Sequence, residues 1–251
     1  MISFHASAVC RVRDGYTGRT LEGSALLCTL DGAPVRPLAK EGGYLVLLNL
    51  GAGPHRLVLR SQGYQEEWVE FQAGSGTREL EITMKPGAGY PFRGEVTRLE
   101  LTVKEGGLPA PGRQLWLAAP AQWELKVAQT RAEAGALQLR LYCKGPQGAV
   151  PPGPYLILDG EKSEVVVLQS LEEDLGNLGA PLLWDHARSR PLLPAQRYHT
   201  DMNGMLSAVF QRAATLAVYT QEKGLAATIS LESGENRKNV DLQARVEGTA
   251  E

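Results

Sequence analysis

The sequence predicts an all-β protein built of tandem, small immunoglobulin-like β-sandwich modules. Short apolar or alternating runs of about five to eight residues recur along the 251-residue chain, which is the usual strand length. Turn-forming residues, among them 28 Gly and 15 Pro, separate these runs instead of forming one low-complexity block. A hydrophobic content of 43% with 22% charged residues is compatible with a packed core, so a folded chain is expected.

The first set of runs predicts a β-sandwich module over residues 1–86. Turn signals such as Asp14-Gly15 and Gly51-Ala52-Gly53-Pro54 lie between the runs, where the chain must reverse. The segment Lys85–Pro91 then combines two prolines with glycines, which indicates a linker at the module's end. The expected strands are 8–13, 25–30, 44–50, 55–61, 66–71 and 78–84.

A second β-sandwich module is expected over residues 92–170. Its clearest signal is the period-two series Leu137, Leu139, Leu141 and Cys143. The Gly153-Pro154 turn repeats the Gly-Pro turn of the first module, which favours repeated modules.

A third β-rich module is expected over residues 175–251. The acidic, leucine-containing stretch 171–178 before it fits a solvated linker or a helical turn. Residues 205–220 leave two interpretations open, since their apolar positions fit strands as well as one short helix.

Charge and hydropathy exclude two classes of protein. The net charge is −2 and no cluster of Lys and Arg goes beyond isolated pairs, which disfavours nucleic-acid binding. No apolar run approaches the roughly 18 residues of a transmembrane helix, so no membrane insertion is expected. The N-terminal residues show no secretory pattern, which predicts cytoplasmic synthesis and leaves an extracellular role open.

Residues with catalytic or metal-binding chemistry are scattered. The cysteines Cys10, Cys28 and Cys143 are too widely spaced for metal ligands, and we expect buried free thiols. The histidines His5, His55, His186 and His199 show no spacing that places two ligands on one face. We therefore predict no metal site.

The densest titratable patch combines His199 with Asp201 and the Asp185-His186 pair. A histidine beside a carboxylate can act as a general base, but no nucleophile accompanies this patch. Turn polarity explains it better, and we predict neither an enzyme nor a bound cofactor.

Tryptophans are the best candidates for an interaction surface. An exposed indole can stack on a sugar or anchor a protein interface, whereas core filling is the alternative. The candidate interaction residues are Trp123, Trp68 and Trp184, of which Trp123 stands out because it follows Pro120 in an expected loop.

The segment from Val9 through Asp14-Gly-Tyr-Thr-Gly18, then Gly43-Tyr44, Gly53-Pro54 and Gly63-Tyr64, resembles carboxypeptidase regulatory-like and transthyretin-like β-sandwich domains over residues 7–85. The segment Thr200-Asp201-Met-Asn-Gly204 looks like a strand start in bacterial immunoglobulin-like modules. These resemblances imply a framework and no chemistry, since the same sandwich serves many roles. A transthyretin-like hydrolase would need a C-terminal Tyr-Arg-Gly-Ser motif that this chain lacks.

The sequence favours a non-catalytic structural or adaptor protein of a larger bacterial or phage-tail-like contractile particle. Such a protein would contact other protein subunits, or further copies of itself, through sandwich edges and loops. A surface or extracellular carbohydrate- or protein-binding module is the alternative. A transthyretin-like enzyme or small-ligand carrier is a remote third hypothesis.

Overall fold

The computed structural model describes residues 5–87, 89–145 and 150–242. The chain forms two compact units, the first comprising Met1–Glu95 with Ala208–Gln211 and the second Val96–Ser207 with Arg212–Glu251. Regular structure is almost entirely strand, apart from two 3-10 turns at Gly23–Ala25 and Gly160–Lys162. The predicted all-β fold is confirmed.

Unit 1 is a sandwich of two four-stranded sheets, with the orders β4-β5-β1-β8 and β3-β2-β6-β7. Its strands are β1 Ala6–Asp14, β2 Leu27–Leu30, β3 Ala33–Val35, β4 Leu38–Lys40, β5 Tyr44–Leu48, β6 Gly53–Arg60, β7 Glu67–Ala73 and β8 Arg78–Met84.

The core of unit 1 follows from period-two alternation. In β1 the side chains of Ala8, Cys10 and Val12 are buried, and their neighbours in sequence point away from the core. Leu57 and Leu59 of β6 lie in the facing sheet and belong to the same buried cluster. Full burial of each such leucine contributes about 1.5–3 kcal/mol.

The segment expected to be a linker after residue 84 is instead docked onto unit 1. The Tyr90 hydroxyl donates to Asp14 Oδ2 at 2.5 Å, and the Tyr64 hydroxyl donates to the same oxygen at 3.2 Å. The rings of Tyr16 and Phe92 pack against Tyr90 with centroid distances of 5.7 and 4.7 Å. Burial raises the pKa of Asp14, but hydrogen bonds from Tyr90, Tyr16 and Thr17 outweigh it and hold the pKa below its ordinary value.

A buried ion pair links the end of β8 to the start of β7. Lys85 donates from Nζ to Glu67 Oε2, and each residue is only 7% exposed. The neighbouring Glu66 makes the contrasting pair, since its contact with Arg60 at 2.5 Å lies at the surface. Two adjacent glutamates thus pair with cations in opposite environments.

Unit 2 contains a nine-stranded sheet of order β12-β14-β17-β16-β15-β19-β11-β21-β22, a two-stranded β13-β18 pair, and a sheet in which β9 pairs with β10, β20 and β23. Its strands are β9 Thr97–Glu105, β10 Leu108–Pro109, β11 Gln114–Ala118, β12 Glu124–Val127, β13 Arg131–Ala132, β14 Gln138–Lys144, β15 Gly153–Ile157, β16 Glu164–Glu172, β17 Leu175–Leu178, β18 His186–Ala187, β19 Leu192–His199, β20 Met205–Phe210, β21 Thr215–Thr220, β22 Gly224–Ser230 and β23 Gly234–Asp241. Residues 208–210 of β20 belong to unit 1.

Both units close in the same way. In unit 1 the first strand, β1, pairs in parallel with the last strand, β8. In unit 2 the first strand, β9, pairs in parallel with β23, from Thr97↔Gly234 to Lys104↔Asp241. Each unit is therefore closed by backbone hydrogen bonds between segments far apart in sequence.

The expected division of residues 92–251 into modules at 92–170 and 175–251 is wrong. Strand β19 pairs through residues 192–194 with β15 and through residues 195–199 with β11. The expected linker between the modules contains β17, which pairs with β14 and β16. Residues 119–191 instead form one long insertion between β11 and β19, which are antiparallel neighbours that a short hairpin turn could have joined.

Strand β15 shows no alternation of apolar and polar residues, because both of its faces are buried. Tyr155 and Ile157 are buried in a cluster on one side of the sheet, and Leu156 is buried in another cluster with Ala118 and Ala195. A strand covered on both faces needs apolar residues at every position, which gives a continuous apolar run.

The period-two series from Leu137 to Cys143, which begins one residue before β14, is buried only at its centre. Leu139 and Leu141 are buried, whereas Leu137 is 55% exposed and Cys143 is also exposed. The outer members of the series lie beyond the ends of the core, so alternation continues without burial. The expectation of a buried thiol is wrong for Cys143 and holds for Cys10 and Cys28.

The open question over residues 205–220 resolves in favour of strands, β20 and β21. A tight turn precedes β20, in which Asp201 Oδ1 accepts from the backbone N–H groups of Asn203 and Met205 at 2.8 Å. Gly204 has φ +72°, and a Cβ there would lie 2.8 Å from Val103 O. Only glycine fits this position.

We expect Glu67→Gln to lower the free energy of unfolding by about 3–5 kcal/mol, because it removes the negative charge that the buried Lys85 ammonium contacts. The matched variant Glu66→Gln should change stability little, since its pair is exposed. Urea unfolding of both variants, followed by circular dichroism, makes the comparison.

The double variant Glu67→Leu/Lys85→Met should be more stable than Glu67→Gln, because it removes both buried charges. Equal stability losses for Glu66→Gln and Glu67→Gln would contradict the burial argument.

Candidate interaction surfaces

The first candidate, Trp68, lies on the outward side of β7 and is half-buried. The Arg56 guanidinium stacks over the indole at 4.5 Å from the ring centroid. Register pairs place Val58 beside Trp68 and Thr29 beside Val58, so the indole ends a row across the sheet. Trp68 is therefore partly covered by Arg56 of its own unit.

The second candidate, Trp123, is not the exposed loop anchor that the sequence suggested. Its ring is half-buried and packs against the cluster that contains Leu125 and Leu139. The described residues offer its buried indole N–H no hydrogen-bond acceptor.

The third candidate, Trp184, is 47% exposed, and the adjacent Leu183 is 65% exposed. These two residues, which we call the Leu183–Trp184 tip, follow Leu182, whose side chain is buried in the core. A large aliphatic and a large aromatic side chain therefore stand side by side in solvent.

The backbone of the tip is fixed from below by Glu164. This carboxylate is 2% exposed, and it accepts hydrogen bonds from the backbone N–H of Leu183 at 2.9 Å and of Trp184 at 3.0 Å. Hydrogen bonds to an ionised acceptor are stronger than those between neutral groups. The exposed side chains thus stand on an ordered backbone.

His186 completes this buried network. Its ring is 0% exposed, with Nε2 at 2.9 Å from Glu164 Oε1 and Nδ1 at 3.0 Å from Asp159 Oδ2. Asp159 in turn contacts the Arg190 guanidinium at 2.7 Å.

The network is complete only when His186 is protonated, because only the imidazolium can donate from both ring nitrogens. Burial lowers the pKa of His186, but hydrogen bonds and charges from Glu164 and Asp159 outweigh burial and raise the pKa above 6.5. In the protonated form, two carboxylates face two cations.

The neighbours in sequence turn out not to be partners in space. Asp185 pairs with Arg131 at 2.5 Å and accepts a hydrogen bond from the backbone N–H of Ala134. The adjacent His186 instead contacts Asp159 and Glu164. The Asp201 carboxylate accepts a hydrogen bond from the backbone N–H of Asn203 in its own turn.

His55, one of the four scattered histidines, belongs to unit 1. Its Nδ1 lies 2.7 Å from Asp31 Oδ2 and its Nε2 lies 2.8 Å from Gly51 O. Both ring nitrogens are therefore used in joining β6 to its flanking turns.

Within the described ranges, no group of three or more His, Cys, Asp or Glu residues is arranged to hold a metal ion. In the same part of the chain, no helix has the length and apolar character needed to cross a membrane.

No protein-family model matches the sequence, and no curated protein is found to be similar. Solved structures that align with most of this chain include the shaft pilin SpaA from Lactobacillus rhamnosus GG, which is 9% identical over 94% of this chain and 96% of the pilin, with a TM-score of 0.27. BcpA, the major pilin subunit of Bacillus cereus, is 9% identical over 96% of this chain and 100% of its own, with a TM-score of 0.27. A streptococcal ancillary pilin is 9% identical over 96% of this chain and 62% of its own, with a TM-score of 0.26. Overlap of this size assigns the chain to none of these families.

We expect the Leu183–Trp184 tip to loosen as the pH rises. Because the folded pKa of His186 is raised, the network contributes its full stabilisation below the unfolded pKa of 6.5 and loses it as the pH rises through the folded pKa. Histidine Cε1–H resonances should show a midpoint above 6.5 for His186. Amide exchange of Leu183 and Trp184, corrected for base catalysis, should accelerate across the same range.

The variant His5→Gln is the control, since it removes a histidine outside the network and should leave this transition in place. A His186 midpoint below 6.5, or exchange at the tip that ignores the transition, would show that the protonated network does not hold the tip.

Proposed function

We propose that this chain is a non-catalytic structural or adaptor protein that joins other protein subunits in a larger particle. The observation that carries the proposal is the Leu183–Trp184 tip, in which two large apolar side chains are exposed on a backbone fixed by a buried carboxylate. Tryptophan anchors dominate the binding energy of many protein interfaces. Because the tip is already ordered, binding would require little loss of conformational freedom.

The sheet edges support the same role. In unit 1, β3 and β4 are edge strands of three residues each, and Pro34 removes a backbone donor from β3. The opposite edges, β7 and β8, are seven residues long. Long edge strands can pair with a strand from another subunit, whereas short or proline-containing edges resist it.

For the particle itself, the proposal extends to a contractile, phage-tail-like assembly in which β-sandwich modules join or decorate the subunits. For unit 1, the proposal includes membership of the carboxypeptidase regulatory-like or transthyretin-like domains, supported by the sequence pattern over residues 7–85. A place in such a particle and membership of either domain family would each mean a structural role, since neither the tip nor the edges supply a reacting group.

The first test is sedimentation of a native lysate, with this chain followed by immunoblot. We expect it to migrate with a megadalton particle. A free, small species under native conditions would exclude membership of a stable particle.

We expect Trp184→Ala to weaken binding to the partner subunit by roughly 30-fold or more, as loss of an interface anchor of about 2 kcal/mol would. Folding should be retained, because the side chain is half exposed and the backbone N–H still reaches Glu164. Co-sedimentation with particles lacking the native chain measures the loss.

The matched control is Trp68→Ala, which removes an indole that Arg56 already covers and should leave co-sedimentation unchanged. An unchanged affinity for Trp184→Ala would remove the tip from the proposed interface.

A further inference from the structure

A shallow depression of about 700 Å³ lies on the nine-stranded sheet, and its lining residue Ala136 accepts a hydrogen bond from the backbone N–H of Leu182, which precedes the Leu183–Trp184 tip. Strands β14, β17 and β16 form its base. We call it the amide groove, because amide side chains from each of these strands line it together with a serine: Gln138, Asn177, Gln169 and Ser170.

The polar groups of the amide groove are already aligned. Gln138 donates from Nε2 to Asn177 Oδ1 at 3.0 Å, and Asn177 donates from Nδ2 to Ser170 Oγ at 2.8 Å. The strand register accounts for this chain, since Asn177 lies directly opposite both Gln138 and Ser170. A shift in register between Leu168 and Ser170 brings Gln169 into the same lining.

Each member of this chain keeps hydrogen-bonding capacity for a ligand. The second amide proton of Asn177, the carbonyl of Gln138 and the hydroxyl proton of Ser170 are not consumed by the chain itself. Donors and acceptors therefore alternate over a short distance. Hydroxyl groups match such an array, because each hydroxyl both donates and accepts.

Two further features narrow the ligand class. The lining residues that the structure describes include no charged side chain, so a phosphate or carboxylate ligand would find no counter-ion. Strand β17 is paired on both sides, by β14 and β16, so no backbone edge is open for an extended peptide. Leu137, which is 55% exposed, also lines the groove and offers apolar surface beside its polar groups.

We propose that the amide groove binds a neutral saccharide through Gln138, Asn177, Gln169 and Ser170. This inference goes beyond the proposed assembly role and does not depend on it, since the groove and the tip use different residues. The groove is open and shallow, so it suits a segment of a longer glycan bound weakly.

The test is NMR titration of the full-length protein with four linear hexasaccharides, of glucose, N-acetylglucosamine, mannose and galactose. At least one should produce saturable shifts of the side-chain amides of Asn177 and Gln138 and of the Leu137 methyls, with a millimolar Kd. Inorganic phosphate, added at the same concentration, should produce none.

Asn177→Ala should weaken this binding about tenfold, because it removes one ligand contact and breaks the chain between Gln138 and Ser170. Gln169→Ala, at an exposed position without a fold-stabilising contact in the lining, should also weaken it and guards against misfolding of the first variant. Gln72→Ala, an exposed glutamine of β7, is the matched control and should leave the affinity unchanged.

Absence of shifts with all four saccharides would overturn the proposal. So would binding that persists unchanged in both Asn177→Ala and Gln169→Ala. Neither result would bear on co-sedimentation with a particle, so the two proposals fail separately.

Discussion

Unit 2 depends on one strand, β19, which belongs to two cores at once. Its first residues pair with β15 and its last with β11, so the same backbone fixes the register of both halves of the sheet. Ala195 lies opposite Ala118, which brings the end of β11 next to the middle of β19. Residues 119–191 therefore begin and end at adjacent points of the sheet. Their insertion costs only the entropy of closing one loop.

This arrangement explains which parts of the fold the sequence could predict. Alternation in β1, β14 and β16 shows which side chains face a core, so strands and the all-β class could be read directly. Alternation does not show which strand lies alongside. In unit 1 the long-range pairing of β1 with β8 joins the two ends of one expected module, whereas in unit 2 the pairings of β11 with β19 and of β9 with β23 join segments expected in different modules. A division into consecutive modules therefore failed where strands pair across the expected boundary.

The candidate site shows the same limit at the level of side chains. The sequence placed His186 with Asp185 because they are adjacent, and it named Trp184 as one of three candidate tryptophans, of which Trp123 stood out. The structure retains Trp184 as an exposed residue, but it joins His186 to Asp159 and Glu164, which lie 27 and 22 residues away. A charged residue at an inward position of β16 was the available signal, since Glu164 begins an otherwise apolar alternation.

The buried network of Glu164, His186 and Asp159 is better explained by its support of the Leu183–Trp184 tip than by a gain in folding stability. Burying two carboxylates and an imidazolium carries a large desolvation cost, and well-packed apolar residues of similar volume would stabilise a core as well or better. Apolar side chains could not, however, accept the backbone N–H groups of Leu183 and Trp184. With Glu164 in place, the chain can expose two apolar side chains at a turn without leaving those backbone donors unpaired. The buried charges and the exposed apolar side chains therefore depend on each other through Glu164, and this is why we expect protonation of His186 to stabilise the tip.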